Sequence, residues 1–203
     1  MSVVRKVRAV EKVFMALDSE ISSFQEYSKI SCLAGCGKCC FKPDIEATPL
    51  EFLPLALDLL ENREIESFYD RLISKEDSYC ILFNQHSKAT DKGACGQYRY
   101  RGLICRLFGF SAMKGRDGLK KYVTCKVIKE SQADQVAQVQ EAIVEGAEIP
   151  LMSDYYFRLR SIDPDLGTIR YPINEAMKKA LEHVMAYYSY RKRPSTRKNN
   201  QAE

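Results

Sequence analysis

Eight cysteines dominate the chemistry that this sequence could perform. All of them fall in the middle of the 203-residue chain, and four stand within the nine residues of CLAGCGKCC, which begins at position 32. Cysteines that serve only as core residues would scatter among apolar neighbours, whereas these are flanked by glycine, lysine and arginine. Thiolates are the ligands of iron–sulfur clusters and of many zinc sites. We therefore predict one metal-binding set, made of Cys32, Cys36, Cys39, Cys40, Cys80, Cys95, Cys105 and Cys125.

The spacing inside the cysteine-rich stretch suits metal binding. Cys36 and Cys39 form a C-x-x-C pair that can reach one ion, and Gly35 and Gly37 allow a tight turn that aims backbone N–H groups at the sulfurs. If the segment were helical, Cys40 would share their face. The sequence indicates which cysteines belong to the metal-binding set more clearly than it indicates which of them share one metal centre. The first-choice ligands of one centre are Cys36, Cys39, Cys105 and Cys125; a second set, or spares, comprises Cys32, Cys40, Cys80 and Cys95.

Positive side chains stand close enough in sequence to balance the charge of the thiolates. Candidates for this role, each within four residues of a cysteine, include Lys38, Lys42, Arg101, Arg106 and Lys126. The two histidines add little. His86 is a candidate auxiliary ligand between two cysteines, and His183 is expected to be a surface or boundary residue.

The elements that position the cysteines are predicted to be mostly helical. Apolar residues at three- and four-residue steps predict a helix over residues 3–29. Thr48, Pro49 and Glu51 form a capping box with a favourable proline, which predicts the start of a second helix. A third helix is expected over 64–75. The later helices are predicted at 131–146, 152–160 and 173–191, with a turn at 163–167.

The cysteine-bearing centre is predicted to hold the short strands. We expect a strand over 79–83, a polar loop over 84–94, a helical turn running into a strand over 101–110, and a returning strand over 120–125. The fold class is thus mainly α with a small irregular β and loop metal-binding centre (α+β), in a single domain. Its parts are an N-terminal helix (1–31), a cysteine-cluster region (32–125), C-terminal helices that pack on it (126–190) and a disordered basic tail (191–203).

Composition narrows the class of protein. Hydrophobic residues make up 45% and charged residues 29%, as in ordinary globular proteins. The sequence shows neither a signal peptide nor a membrane span, so we expect a cytoplasmic protein whose thiols stay reduced. The net charge of +4 resides in residues 191–203, which leaves the rest neutral. Nucleic-acid binding is therefore not expected. The oligomeric state is left open.

The cysteine pattern resembles the YkgJ-type cysteine-cluster family, whose expected role is to chelate zinc or iron through a CxxCxxCC motif. The resemblance covers residues 32–125 and includes all eight cysteines. It departs from the family at one extra residue before Cys36, and at Gly102, where proline is common. The matching motifs are C-x₃-C-x₂-C-C at 32–40, CILF at 80–83, CGQY at 95–98, R-x₃-C-R-x-F at 101–108 and Cys125. This resemblance implies metal binding and leaves open whether the protein is an enzyme.

Several functions fit such a site. Structural zinc sites usually combine two short cysteine pairs, whereas the later cysteines here arrive singly, which favours an iron–sulfur cluster, [4Fe–4S] in particular, over zinc. A related cluster in flagellin lysine methylases works with S-adenosylmethionine, so a small molecule at an open iron is one expectation. Cys32, Cys36 and Cys39 also match the spacing of radical S-adenosylmethionine enzymes. However, that motif should follow a strand of a β/α barrel, and an aromatic residue usually replaces Lys38.

Two further readings involve no substrate. A structural zinc module could display a surface to a protein or RNA partner, using the basic tail together with the tyrosines at 155, 156, 187, 188 and 190. The spacing of these residues favours helical core packing instead. An electron-transfer or metal-storage protein is the other alternative.

Overall fold

Helices carry most of the regular structure. The computed structural model describes residues 1–33, 35–42, 44–87 and 90–194. Its helices are α1 (Val3–Ser28), α2 (Leu53–Glu61), α3 (Ile65–Ile73), α4 (Leu103–Leu107), α5 (Lys126–Ser131), α6 (Ala133–Val144), α7 (Met152–Ile162), α8 (Pro164–Gly167) and α9 (Ile173–Tyr188), with 3₁₀ turns at Pro49–Phe52 and Tyr98–Tyr100. Its strands are β1 (Glu46–Ala47), β2 (Phe83–Ser87), β3 (Thr90–Cys95), β4 (Ser111–Lys114), β5 (Lys120–Val123) and β6 (Tyr171–Pro172).

Helix α1 confirms the long N-terminal helix predicted from apolar periodicity. One stripe of it is buried, from Val3 to Phe24, and packs against α2 and α7. The helix ends where Lys29 adopts a left-handed φ of 58° and its N–H donates to the Gln25 carbonyl. Ile30 is fully buried and anchors the exit. The chain thereby enters the cysteine-rich segment from a fixed point.

Helix α2 lies at the centre of the core, between α1 and α9. Most of its residues are buried, which explains why its sequence is apolar on nearly every side. The predicted capping box is confirmed, since the Thr48 N–H donates to the Glu51 carboxylate at 2.7 Å. The first turn after Pro49 is 3₁₀ rather than α.

The strands form three separate antiparallel pairs, β1 with β6, β2 with β3, and β4 with β5. The prediction of a strand over 79–83 and a loop over 84–94 is wrong. Residues 79–82 are turns and bends, and the strand begins at Phe83 and pairs with residues up to Cys95. The apolar run misled the prediction, because Leu82 is buried although it lies in a turn. The hairpin, in contrast, is held by hydrogen bonds between backbone groups, which polar residues can also form.

The C-terminal helices depart from the prediction at one place. The helix expected over 131–146 is α6, and a separate short helix that was not predicted, α5, precedes it and ends at Ser131, so that Gln132 lies between the two. Helices α7 and α9 confirm those predicted at 152–160 and 173–191, and the predicted turn is the single-turn helix α8. The mainly α fold class with small sheets is confirmed. Within the described ranges, no helix combines the length and the apolar composition that a membrane crossing requires.

A buried ionic cluster ties α1 to the C-terminal helices. The Lys6 ammonium lies 2.5 Å from an Asp163 carboxylate oxygen and 3.4 Å from Nε2 of His183. Burial alone would raise the pKa of Asp163, but hydrogen bonds from Lys6 and from the N–H groups that begin α8 outweigh it and lower that pKa. Burial, followed by the charge of Lys6, lowers the pKa of His183. The cluster therefore favours an ionised aspartate and a neutral histidine.

This arrangement predicts that stability falls on mild acidification. Below its ordinary pKa of about 6.5, His183 takes up a proton more readily in the unfolded chain than in the folded one, so unfolding becomes easier as the pH drops. We expect the loss of unfolding free energy between neutral and mildly acidic pH to be smaller in His183→Gln than in the native protein. Urea unfolding of both proteins at neutral and at mildly acidic pH measures this loss of unfolding free energy. Equal losses in the two proteins would show that His183 is not the group responsible.

Candidate metal centre

Seven of the eight cysteines line one cavity of about 790 Å³. Its walls come from the 32–42 segment, the β2–β3 hairpin and α4, and also from α1, α7 and the residues that lead into α9. The cysteines on it are Cys32, Cys36, Cys39, Cys40, Cys80, Cys95 and Cys105. The structure thus brings together residues that are up to 73 positions apart in sequence (Cys32 to Cys105).

The described residues of the 32–42 segment form turns and irregular structure and no helix, so its cysteines do not share a helical face. The Cys36 N–H donates to the Leu33 carbonyl, and the Cys40 N–H donates to the Gly37 carbonyl at 2.8 Å. Gly37 has a φ of 57°, which favours glycine. A Cβ on it would also lie 2.5 Å from the Phe83 ring. The predicted role of this glycine in a tight turn is confirmed.

The hairpin holds the 32–42 segment in place. The Gly93 N–H of β3 donates to the Gly35 carbonyl at 3.1 Å. The Phe41 ring packs edge-on against Phe83, with 4.6 Å between centroids, and against Tyr79. These contacts join the first four cysteines to the strands that flank Cys80 and Cys95.

Cys80 is positioned by a side-chain amide from α9. Asn174 accepts a hydrogen bond from the Ile81 N–H at 2.9 Å and donates to the Tyr79 carbonyl at 2.7 Å. The backbone on both sides of Cys80 is therefore clamped by one residue. No motif around Asn174 in the sequence predicts its contact with the residues on either side of Cys80.

A second amide joins the two ends of the cysteine set. Gln132, at the break between α5 and α6, accepts from the Ser31 N–H at 3.0 Å and donates to the Ser31 carbonyl at 2.7 Å. This pairing places Cys32 near Cys125, whose charge acts on it. Cys125 itself is not among the residues of the cavity wall; its sulfur accepts from the Ile128 N–H at 3.4 Å and caps α5.

Cys105 lies on α4, and α4 is anchored by a buried carboxylate. Glu51 accepts from the Leu103 N–H at 2.6 Å while its other oxygen accepts from Thr48. Gly102 packs against it so closely that a Cβ there would lie 2.9 Å from the carboxylate oxygen. Burial raises the pKa of Glu51, although these N–H donors oppose the rise. The capping box of the second helix thus also sets the position of Cys105.

We expect Glu51→Gln to destabilise the fold by about 1–2 kcal/mol, because the amide that replaces one oxygen would face an N–H donor. Urea unfolding at neutral pH measures the loss. Glu76→Gln, in an exposed stretch without regular structure, is the matched control and should change stability by less than about 0.5 kcal/mol. If Glu51→Gln is as neutral as the control, the carboxylate is not an anchor of α4.

The crowded thiols oppose one another's ionisation. Burial, and then the charges of Cys80 and Glu51, raise the pKa of Cys105. Burial likewise raises the pKa of Cys80 to about 11. A hydrogen bond from Cys40 lowers the pKa of Cys39 to about 6, and the same bond together with burial raises the pKa of Cys40. A cation among these sulfurs would remove the conflict by stabilising several thiolates together.

Arg101 is the predicted counter-charge that faces the cysteines. Burial raises the pKa values of Cys32 and Cys95, and the Arg101 guanidinium offsets part of both rises. It is held over the Tyr98 ring, 3.5 Å from the centroid. Arg106 and Lys126 were also predicted to balance the thiolate charge, but each of them pairs with a carboxylate instead. Arg106 pairs with Asp18, and Lys126 pairs with Glu130 on the exposed side of α5.

Comparison with known proteins agrees with the cysteine pattern. The model of the CxxCxxCC family, described as "Putative zinc- or iron-chelating domain", matches residues 31–139, which is more than half of the chain. The chain belongs to the CxxCxxCC family. No curated protein and no solved structure matches it significantly. The family description supports metal chelation and does not distinguish zinc from iron.

The donor set of this CxxCxxCC protein fits a thiolate-bound metal in its chemistry. Backbone N–H groups point at sulfurs in the way that thiolate ligands require: Leu82 at Cys80, Gln97 at Cys95 and Ile128 at Cys125. The positions of these donor side chains fit a metal less well than their chemistry does. In the part of the chain that the structure describes, no three Cys, His, Asp or Glu side chains are grouped closely enough to hold one ion. The ligand set and its partition therefore stay a prediction.

Residues outside the family-matched segment also contribute to the cavity, and sequence reasoning had not assigned them there. Tyr156 and Arg170 line it, whereas the prediction placed Tyr156 among core or display residues. Core packing is confirmed for Tyr155 and Tyr188, which are 1% and 9% exposed. His183 belongs to the ionic cluster on α1. The side chain of His86 and residues 195–203 of the predicted tail lie outside the described residues.

Proposed function

We propose that this protein carries a cysteine-ligated iron–sulfur cluster, of the [4Fe–4S] type, and uses it in redox or small-molecule chemistry. The observation that supports the proposal is the shared cavity. Seven cysteines border it, yet its walls continue beyond them to Phe52, Tyr156 and Arg170. Such a space can hold a cluster and a second molecule beside it, within the size range of ligand pockets. A cluster there would supply electron transfer or an open iron.

The four thiolates that a [4Fe–4S] cluster takes would come from the cysteines of the cavity wall and from Cys125, which lies outside that wall but whose charge reaches Cys32. Arg101 would offset their negative charge, and the N–H groups of Leu82 and Gln97 would stabilise individual thiolates. All eight cysteines are free, which suits a reducing compartment such as the cytoplasm. In the proposed division of the chain, residues 1–31 and 126–190 enclose the centre formed by 32–125.

A structural zinc module is the competing function. Structural zinc sites are closed and need four ligands, and a chain with a core of this size does not need eight thiolates to fold. The surplus of cysteines and the cavity that extends past them favour a functional centre. A radical S-adenosylmethionine barrel is disfavoured, because the cysteine motif follows helix α1 and not a strand. The named strands also form separate antiparallel pairs and not a barrel.

Anaerobic purification followed by an absorption spectrum and elemental analysis of the same sample tests the proposal. We expect a brown protein with iron, acid-labile sulfide and a visible absorption band that dithionite bleaches reversibly. A colourless protein with stoichiometric zinc and no sulfide would overturn the proposal in favour of the structural module.

A further inference from the structure

The wall of the cavity that faces the cysteines carries a cation and a hydroxyl side by side. The Arg170 guanidinium carbon lies 4.1 Å from the centroid of the Tyr156 ring, and both residues line the cavity. They come after residue 139, beyond the segment that matches the family model. The match to the family model therefore does not account for these two residues.

Short backbone contacts fix the position of this wall. Arg170 immediately precedes β6, where Tyr171 pairs with Ala47 of β1. The Ile173 N–H donates to the Ile45 carbonyl at 2.9 Å on the far side of the pair. The strand β1 leads directly into the turn that carries Glu51. Arg170 is thus held relative to both the core and the anchor of α4.

The polar groups of this wall have few partners inside the protein. Arg170 is exposed and Tyr156 is half-buried; among the described residues, Arg170 makes no ion pair within 4.0 Å, and no hydrogen bond joins the Tyr156 hydroxyl to another side chain. Arg106 lines the same cavity but is occupied by Asp18 and by two backbone carbonyls. Burial raises the pKa of Tyr156, so its hydroxyl remains a donor at neutral pH. One planar cation and one donor are thus available to a ligand.

We infer that this wall binds the carboxylate of a small organic acid, whose apolar part lies along Phe52 and Tyr156 toward the cysteines. The planar fork of an arginine matches a carboxylate in two hydrogen bonds. A dianionic phosphate fits less well, because Glu46 lines the same wall and the Glu51 carboxylate lies within reach of the charge of Arg170. The inference rests on the proposed function, since it assigns the substrate class of that same centre.

Calorimetric titration of the metal-loaded protein with benzoate tests the inference, with benzamide and phenylphosphonate as matched probes. We expect benzoate to bind at least about tenfold more tightly than benzamide, because only the acid offers a charge to the guanidinium. Arg170→Gln should weaken benzoate by about tenfold or more, and Tyr156→Phe by a smaller factor. Arg160→Gln removes an exposed arginine stacked on Phe157, outside the cavity wall, and should leave the affinity within about twofold.

Equal affinity for benzoate and benzamide, or unchanged binding in Arg170→Gln, would overturn the inference. Tighter binding of phenylphosphonate would overturn the assignment to a carboxylate. Metal and sulfide are measured on every sample, so the two proposals fail separately. A native protein without iron and sulfide defeats the proposed function, whereas a loaded protein that ignores benzoate defeats only the carboxylate site.

Discussion

Cys105→Ser should lose both bound metal and stability, and Cys36→Ser should do the same. A hydroxyl is a poor substitute for a thiolate ligand, and metal binding at such a site is coupled to folding. We expect the metal content to fall below half of the native value and the unfolding free energy to drop by more than about 4 kcal/mol. Cys105 is the sharper test, since it lines the cavity and lies on α4, whose first N–H is held by the buried Glu51.

Two comparisons separate a lost ligand from a damaged fold. Ser31→Ala alters an exposed side chain at the start of the same segment and should keep native metal content and stability. After removal of metal by a chelator, the difference in unfolding free energy between Cys105→Ser and the native protein should largely disappear, because both then lack the same bonds. Full metal content in both cysteine variants would show that the ligand assignment is wrong.

The helical frame could be predicted because it is encoded locally. The apolar stripe of α1 and the capping box at Thr48 and Glu51 each depend on residues a few positions apart. The hairpin from Phe83 to Cys95 could not be found in this way, since its pairing is made by backbone groups and its residues do not alternate between polar and apolar. The break between α5 and α6 was hidden for a related reason, since the Gln132 side chain at this point pairs with Ser31, which lies 101 residues earlier.

The membership of the site was readable from composition, and its supports were not. Cysteine is rare enough that eight in the middle of a chain identify a candidate centre. Asn174, Gln132 and Arg170 are ordinary surface residue types. Only the fold shows that Asn174 clamps the backbone around Cys80, that Gln132 binds the Ser31 backbone next to Cys32, and that Arg170 lines the cavity. Glu51 is intermediate: its cap was predicted, but its second bond, to Leu103, depends on tertiary packing.

Arg106→Met should produce the second large loss of stability, about 2–4 kcal/mol, because it removes a buried guanidinium that binds two backbone carbonyls and a half-exposed carboxylate. The side chain is 5% exposed. It pairs with Asp18 of α1, donates from Nη2 to the Arg99 carbonyl at 2.6 Å and from Nε to the Arg101 carbonyl at 3.2 Å. Methionine would fill much of the space but leave all three acceptors without this donor.

Urea unfolding and metal titration of the same variants distinguish what Arg106 does. Arg106→Lys should recover only part of the stability, since an ammonium cannot reproduce the guanidinium fork. Lys126→Gln breaks an exposed pair with Glu130 and should cost less than about 0.5 kcal/mol. Because Arg106 fixes the turn that presents Arg101 to the cysteines, Arg106→Met should also weaken metal binding by about 10–100-fold with every cysteine present. If Arg106→Met were destabilised but still bound metal with native affinity, Arg106 would stabilise the fold without supporting the metal centre.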